Sequence, residues 1–310
     1  MDIFIIILKL IIVIAIIVLL IGLNLALFLI FPLKTRHKWV IGWEEKKGLI
    51  SKKWLNEIQK QEIWIKSPYK YDLYGEYIKN NVESNKTVVI VHGYRFNFIG
   101  SIKYGKMFLD MGYNVFWFDN CRSGKSKGRT VTMGYREKND LKEVIKYLRE
   151  NICKNHLIGI HGESMGASLS LMYGAEDEKL SFIIEDCGYS DLCDELKHHI
   201  KNSLHLPLTP FIQISSFFVR ILGKFKIEEV SPLNLLKQDN ALSKIPILFI
   251  HGGEDKFTPT FMVNDMYNAK KGEKSLYICD NAGHAQSFFK NKEKYKDEVR
   301  QFIEKTSFKS

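Results

Sequence analysis

The sequence predicts an α/β fold with a mostly parallel central sheet and helices on both faces. Apolar, β-branched runs typical of buried strands recur along the chain and alternate with amphipathic helical patterns. One such run, His156–Ile160, leads through a sharp glycine-flanked turn at 162–166 into a small-residue helical pattern over Ala167–Met172. Because parallel strands are joined by helical crossovers, this alternation indicates repeated βαβ units.

Each element is predicted from its own stretch of residues. Alternating apolar and polar residues predict an opening antiparallel pair over Glu62–Lys66 and Tyr71–Ile78. Apolar residues at helical spacing predict helices over Lys138–Ile152 and about Lys292 to Lys305. The buried strands are predicted at Thr87–Val91, Asn114–Asp119, His156–Ile160, Ser181–Asp186, Pro246–His251 and Ser275–Ile278.

The segment from about 190 to 236 breaks this rhythm. It is apolar, has no strand pattern and contains Pro207, Pro210 and Pro232. We expect it to form a small helical cap inserted over the functional site. A pair of ordinary core helices is the alternative.

The N-terminus predicts a membrane anchor. From Ile3 to Phe31 the residues are almost all apolar, with Lys9 and Asn24 as exceptions, and about 20 apolar residues suffice for a helix to cross a bilayer. The alternative is a cleaved signal peptide, whose apolar region is shorter and ends in small residues. The chain is thus divided into a transmembrane anchor at 1–33, a juxtamembrane linker at 34–60 and the α/β domain at 61–310.

The linker carries the features that predict orientation. Trp39 and Trp43 follow the span, where indoles favour the membrane interface. Ile50–Ile58 has apolar residues at helical spacing, and this helix either lies on lipid or packs on the domain. The positive-inside rule places the domain on the cytoplasmic side, because five cations follow the span: Lys34, Arg36, Lys38, Lys46 and Lys47.

Composition excludes several classes of protein. The 310 residues carry a net charge of +10, but the lysines are scattered and form no dense basic run with aromatic residues. We therefore expect no nucleic-acid partner and instead attraction to an anionic membrane surface. The five cysteines are odd in number and lack C-x-x-C spacing, which argues against a disulfide framework and against a zinc site.

The turn between the strand and the helix fits the G-x-S-x-G pattern of a nucleophile elbow. Gly162 and Gly166 flank Ser164, and such a turn holds a serine hydroxyl clear of the backbone. The N-terminus of the following helix offers free N–H groups to a developing oxyanion. The pattern alone also arises by chance in glycine-containing loops, so partner residues elsewhere decide its meaning.

A serine nucleophile needs a base, and the base needs an acid to orient it. In the elbow fold these residues follow in the order serine, acid, histidine. Asp255 lies just after a buried strand and His284 just after the next one. We assign Ser164, Asp255 and His284 as catalytic, with Glu254 and Asp186 as rival acids.

Two backbone N–H groups are expected to form the oxyanion hole. One belongs to Met165, the residue after the nucleophile, and the other comes from the loop after an early strand. His92-Gly93-Tyr94 supplies that loop, so Tyr94 is the second donor. His92 itself is expected to be structural.

As a set, these motifs resemble α/β-hydrolase-fold serine hydrolases, in the branch of monoacylglycerol-lipase-like and serine-aminopeptidase-like enzymes. The resemblance covers about Tyr71 to Phe308. The matching residues are His92-Gly93-Tyr94, Asp119 with Arg122–Gly128, Gly134 with Glu137 and Asp140, the elbow, His251–Asp255 with Pro259, and Gly283-His284.

The resemblance implies acyl transfer through an acyl-enzyme, with no metal and no organic cofactor. The apolar cap and the anchor favour a lipid-like or other hydrophobic carboxylic ester, so the expected partners are an acyl substrate and the bilayer. A peptidase or amidase with the same triad is one alternative. A non-catalytic, membrane-tethered scaffold on the same fold is the other.

Overall fold

An eight-stranded sheet lies at the centre of the computed structural model, which describes residues 3–307. The strands are β1 (Gln61–Lys66), β2 (Asp72–Ile78), β3 (Lys86–Val91), β4 (Asn114–Phe118), β5 (Leu157–Glu163), β6 (Phe182–Asp186), β7 (Ile247–Gly252) and β8 (Lys274–Cys279). Their order is β1-β2-β4-β3-β5-β6-β7-β8. The β1–β2 and β2–β4 pairs are antiparallel and the other five are parallel.

Helices cover both faces of this sheet. One face packs against α5 (Glu137–Asn151) and α6 (Met165–Gly174), and the other packs against α4 (Ile102–Asp110) and α12 (Lys292–Ser307). The α-helices of residues 3–307 are α1 (Ile3–Ile30), α2 (His37–Lys46), α3 (Lys52–Glu57), α4 (Ile102–Asp110), α5 (Glu137–Asn151), α6 (Met165–Gly174), α7 (Leu192–His198), α8 (Leu208–Phe218), α9 (Pro232–Lys237), α10 (Phe261–Ala269), α11 (Ser287–Lys290) and α12 (Lys292–Ser307).

The predicted fold class is confirmed. The β-branched run of β3 is buried on both faces, because alternate side chains enter the two apolar clusters on opposite sides of the sheet. Leu141, Val144 and Leu148 form the buried stripe of α5, as its helical spacing predicts. The sheet and its two helical layers bring the ends of β3, β5, β7 and β8 to one edge.

The predicted linker at 34–60 is folded onto the domain. It forms α2 and α3, and Val40, Ile50 and Leu55 lie in the same apolar cluster as Val88 of β3. The helix for which lipid and domain contacts were both open therefore packs on the domain.

The first helix, α1, has two unlike parts. From Ile3 to Leu20 its side chains are almost all exposed, whereas one face of its last turns is buried, at Gly22, Ala26, Leu29 and Ile30. Gly22 faces α8 so closely that a Cβ there would lie 2.3 Å from Ile214 Cγ2. This 28-residue helix is long and apolar enough to cross a membrane, and its C-terminal third packs against the domain.

The segment expected to form a cap is helical. It contains α7, α8 and α9, with wider π-type turns at His199–Ser203 and Val219–Gly223. The α7 helix reaches the loop after β7, where His198 Nε2 lies 3.0 Å from the Lys256 carbonyl oxygen. The α8 helix packs instead along α1.

A buried ion pair joins α4 to the end of β5. Lys103 Nζ lies 3.1 Å from Glu163 Oε2 and also donates to the Gly100 carbonyl at 2.7 Å. The Tyr104 hydroxyl donates to the same carboxylate oxygen at 2.6 Å. Burial disfavours the Lys103 cation, but the charges of Glu163 and Glu44 and the hydrogen bond to Glu163 act together against burial, and the pKa of Lys103 lies above its usual value.

We expect Lys103→Met to lower the free energy of unfolding by about 3–5 kcal/mol, because it leaves the Glu163 carboxylate buried without its cation. Chemical denaturation of the detergent-solubilised protein measures this. The control is Lys106→Met on the same helix, which removes an exposed pair with Asp110 and should cost less than about 1 kcal/mol. Equal losses of unfolding free energy in the two variants would contradict the assignment of the Lys103–Glu163 pair as a stabilising buried ion pair.

Candidate active site

Ser164 lies on a sharp turn between β5 and α6. Its backbone has φ 56° and ψ −122°, a strained conformation for a residue with a Cβ. A Cβ on Gly162 would lie 2.3 Å from the Gly166 carbonyl oxygen, and one on Gly166 would lie 2.1 Å from that of Val91. Glycine at both positions therefore allows the helix to start directly against the ends of β3 and β5.

His284 lies within hydrogen-bond distance of Ser164. The distance from Ser164 Oγ to His284 Nε2 is 2.9 Å, and His284 Nδ1 lies 2.8 Å from Asp255 Oδ2. A carboxylate only accepts, so Nδ1 carries the proton and Nε2 of the neutral ring accepts from the serine hydroxyl. The three residues assigned from the sequence thus form one continuous hydrogen-bonded chain.

Asp255 is fixed by its own loop after β7. Its Oδ1 accepts from the backbone N–H groups of Phe257 and Thr258, each at 2.9 Å, which leaves Oδ2 for His284. His251 Nε2 lies 3.4 Å from the same Oδ2 but is closer to the Thr258 carbonyl, at 2.8 Å. Burial lowers the pKa of His251, so its neutral ring supports this loop.

The rival acids lie elsewhere. Glu254 is exposed. Asp186 accepts from the hydroxyl of Tyr295 at 2.8 Å and lies 3.2 Å from that of Tyr104, and burial raises its pKa to about 7. Asp186 therefore belongs to the buried network below the elbow, which also contains Glu163.

The two expected oxyanion donors flank the serine. Met165 is the first residue of α6, so its N–H has no acceptor within the helix. Tyr94 follows Gly93, where a Cβ would lie only 3.2 Å from Ser164 Cβ. His92 is fully buried and its Nε2 accepts from the Asn120 N–H at 2.9 Å, a bond that supports the loop.

Glu195 is a buried acid that the sequence analysis did not single out. It lies on α7, where Oε1 accepts from the Thr258 hydroxyl at 2.9 Å and lies 3.2 Å from His199 Nε2. Its signal in the sequence is weak, because an acidic residue in the first turn of a helix is common. Its position brings a negative charge from the cap towards His284.

The charge balance around His284 favours its protonated form. Burial lowers the pKa of His284, but the hydrogen bond and the charge of Asp255 act together with the charges of Glu195 and Glu163 to raise it. The net pKa lies above the usual histidine value. A histidine in this setting is a strong base towards the serine hydroxyl.

A buried apolar cluster, which we call the apolar wall, lies beside the elbow. Met165 belongs to a buried cluster that joins the elbow to the end of α1, to the loop at 131–133 and to the cap. Its members include Ala26, Leu29, Ile30, Val131, Met133, Tyr189, Leu192, Val219 and Phe225.

One group of possible metal ligands overlaps the same residues. Cys187 Sγ, the Asp255 carboxylate and a ring nitrogen of His284 lie within 4.8 Å of one another. Burial raises the pKa of Cys187, so its thiol stays protonated and is a poor ligand. Both other groups are already engaged in the hydrogen-bonded chain, so this donor set fits proton transfer better than a metal ion.

The sheet order, the elbow and the serine–histidine pair at the carboxyl ends of the strands define an α/β-hydrolase of the serine hydrolase class. The X-Pro dipeptidyl-peptidase (S15) family matches residues 45–211, more than half of the chain. The chain belongs to this family. The matched part contains Ser164 and ends before Asp255 and His284.

Three individual proteins are similar to this chain. The uncharacterized protein YqkD of Bacillus subtilis is 34% identical over 286 residues, 92% of each chain. The Pyrococcus furiosus esterase Pf2001 is 25% identical with a TM-score of 0.66, covering 83% of this chain and 95% of the esterase. An acylaminoacyl peptidase of Pyrococcus horikoshii shares the fold, at 20% identity and a TM-score of 0.58 over 81% of this chain and 42% of the peptidase.

The raised pKa of His284 sets the expected pH dependence. A general base must be neutral, so kcat/KM should be lost as the pH falls through the histidine pKa, above about 6.5. Glu195→Gln removes one charge that raises this pKa, and the acidic limb should then move to lower pH. Hydrolysis rates of an activated ester from pH 4 to 9 measure the limb.

The matched control for this shift is Glu254→Gln, which removes an exposed charge next to Asp255. The acidic limb of the kcat/KM profile of Glu254→Gln should coincide with that of the wild type. A shift with Glu254→Gln and none with Glu195→Gln would overturn the charge assignment.

Proposed function

We propose that the chain is a membrane-anchored serine hydrolase that cleaves a hydrophobic carboxylic ester with Ser164, His284 and Asp255 as its triad. The observation that carries this proposal is the hydrogen-bonded chain from Ser164 Oγ through His284 to Asp255. In this order each group activates or orients the one before it.

The reaction has two acyl-transfer steps. Ser164 Oγ attacks the carbonyl carbon while its proton passes to His284 Nε2, and His284 then gives that proton to the departing alcohol oxygen. Water next attacks the acyl-enzyme as His284 takes its proton, and the proton returns to Ser164 when the acid leaves. Asp255 stabilises the imidazolium in both steps.

The oxyanion of each tetrahedral intermediate is assigned to the backbone N–H groups of Tyr94 and Met165. Both flank Ser164, and the start of α6 adds the positive end of a helix dipole. Losing one such donor typically costs about 10²–10³ in rate.

Two features support an ester over an amide. The wall around Met165 is apolar and continuous with the cap and with α1, which suits an acyl chain, and the similar Pyrococcus furiosus protein is an esterase. The family match favours a second candidate, cleavage of an X-Pro dipeptide from a peptide, by the same triad with an amine as leaving group. The monoacylglycerol-lipase-like branch stays a prediction.

The first test labels the protein with a fluorophosphonate, which reacts with activated serines. The intact protein should be labelled and Ser164→Ala should not. Ser168→Ala is the matched control, because Ser168 lies one turn along α6 with its hydroxyl bonded to the Tyr189 carbonyl, and it should label fully. A folded intact protein that is not labelled would favour the non-catalytic scaffold.

The second stage compares kcat/KM for p-nitrophenyl esters of two to sixteen carbons with that for an X-Pro p-nitroanilide. We expect ester hydrolysis, rising with chain length while the ester stays soluble, and anilide hydrolysis at least about 100-fold slower. A preference for the anilide would replace the ester proposal with the dipeptidyl-peptidase reading.

The proposal includes the anchor. The exposed part of α1 is apolar, and its last turns bury Ala26, Leu29 and Ile30 in the wall that contains Met165. Removal of a signal peptide at this point would open that wall. The cations after the span support a domain on the cytoplasmic side.

We expect the protein made in bacteria to stay in the membrane pellet after an alkaline carbonate wash and to keep the mass of its full chain. Protease added to intact spheroplasts should spare the domain and should digest it after lysis. A soluble product shortened by about 33 residues would identify a signal peptide, and digestion in intact spheroplasts would reverse the orientation.

A further inference from the structure

The loop that supplies the second oxyanion donor is held by the N-terminal segment. We call Gly93–Asn97 the oxyanion loop and Phe28–Thr35 the exit segment, because the latter leads out of α1. The two are separated by about 60 residues in the chain and are joined by five contacts.

Tyr94 makes the first of these contacts. Its hydroxyl donates to the carbonyl oxygen of Phe28 and lies 3.1 Å from that of Leu29. The last carbonyls of a helix have no partners within it, so the hydroxyl caps the end of α1. The same residue thus offers its backbone N–H to the reaction and its side chain to the helix.

Thr35 holds the next residues of the loop. Its hydroxyl donates to the Arg95 carbonyl at 2.6 Å, and its own carbonyl accepts from Asn97 Nδ2 at 2.9 Å. The Arg95 guanidinium carbon also lies 4.7 Å from the centre of the Phe28 ring, within the range of a cation–π contact.

The loop needs such support because its backbone is strained. Arg95 has φ 59°, a left-handed conformation that is unfavourable for a residue with a Cβ. Strain of this kind persists only where surrounding contacts fix it. Here the exit segment contacts the residue before Arg95, Arg95 itself and the residue two positions after it.

The exit segment is in turn held from its other side. The Val131 N–H donates to the Ile30 carbonyl at 2.9 Å, Arg122 Nε to that of Pro32 at 3.1 Å, and Lys34 Nζ donates to that of Ser126 at 2.8 Å. The segment therefore runs between two loops at the carboxyl ends of the strands and is bonded to both.

We infer that the exit segment positions the oxyanion loop, with the Tyr94 hydroxyl as its positioning group, so that α1 is a working part of the active site as well as an anchor. This inference rests on the proposed function. A helix that only tethered the domain would not need bonds to the loop beside the nucleophile.

The test is Tyr94→Phe in the full-length, detergent-solubilised protein. This change keeps the ring and the backbone N–H but removes both bonds to α1. We expect kcat to fall at least about fivefold, below the ~10²–10³ expected for complete loss of an oxyanion donor, with KM within about twofold. Thr35→Val, which removes the bond to Arg95, should change kcat in the same direction.

Tyr69→Phe is the matched control. It also removes one tyrosine hydroxyl, which here accepts from Asn139 Nδ2 at 2.7 Å on the surface, and kcat should be unchanged. All variants are checked by thermal unfolding, so that a loss of fold is separated from a loss of rate.

Hydrogen–deuterium exchange gives a readout that does not require turnover. The amides of the oxyanion loop should exchange faster in Tyr94→Phe than in the wild type and should be unchanged in Tyr69→Phe. Unchanged exchange in Tyr94→Phe overturns the inference whatever the kinetics show. Wild-type kcat in Tyr94→Phe also overturns it, whereas absent fluorophosphonate labelling of the wild type with altered loop exchange counts against the proposed function alone.

Discussion

The site depends on the close approach between the first turn of α6 and the end of β3. At Gly166 there is no room for even one further carbon atom beside the Val91 carbonyl. This contact forces the turn that lifts Ser164 out of the sheet, and it brings the loop after β3 against the serine. Further along the sheet, β7 and β8 end at the same edge, so the loops that follow them place Asp255 and His284 beside the serine.

Much of this arrangement follows from local sequence. The strands are predictable because β-branched residues pack well in buried strands. The triad is predictable because its members follow the ends of strands in a fixed order along the chain. The helix α4 has no such signal, since it has nine residues and its inward Lys103 resembles a surface residue. Glu195 is also not recognisable from the sequence, because its burial depends on contacts with distant segments such as the loop that contains Thr258.

The docking of α1 is the largest feature beyond reach of the sequence. Its apolar residues are alike in hydropathy from Ile3 to Ile30, so nothing in the sequence marks which of them stay exposed and which pack on the domain. Only Gly22, which meets Ile214, hints at a helix contact. The sequence also does not decide that the linker packs on the domain, where Val40 and Leu55 enter the apolar core.

Ester and peptide cleavage differ little at the triad, because the same serine attacks both carbonyls. The difference must come from the walls, and these are built largely from segments outside the family match, which ends at residue 211. The end of α1 and the turn Val219–Gly223 both lie outside it and both contribute to the apolar cluster around Met165. Selectivity can therefore vary within the family while the elbow stays the same.

The position of α1 also constrains the order of folding. This helix is synthesised before its partners, which lie far along the chain: Tyr94, Val131 and, in α8, Ile214. At usual rates of translation, α8 is made on the order of 10–40 s after α1. In the proposed membrane-anchored arrangement, α1 enters the bilayer before the domain is made, and the domain completes its active site against a helix already in place.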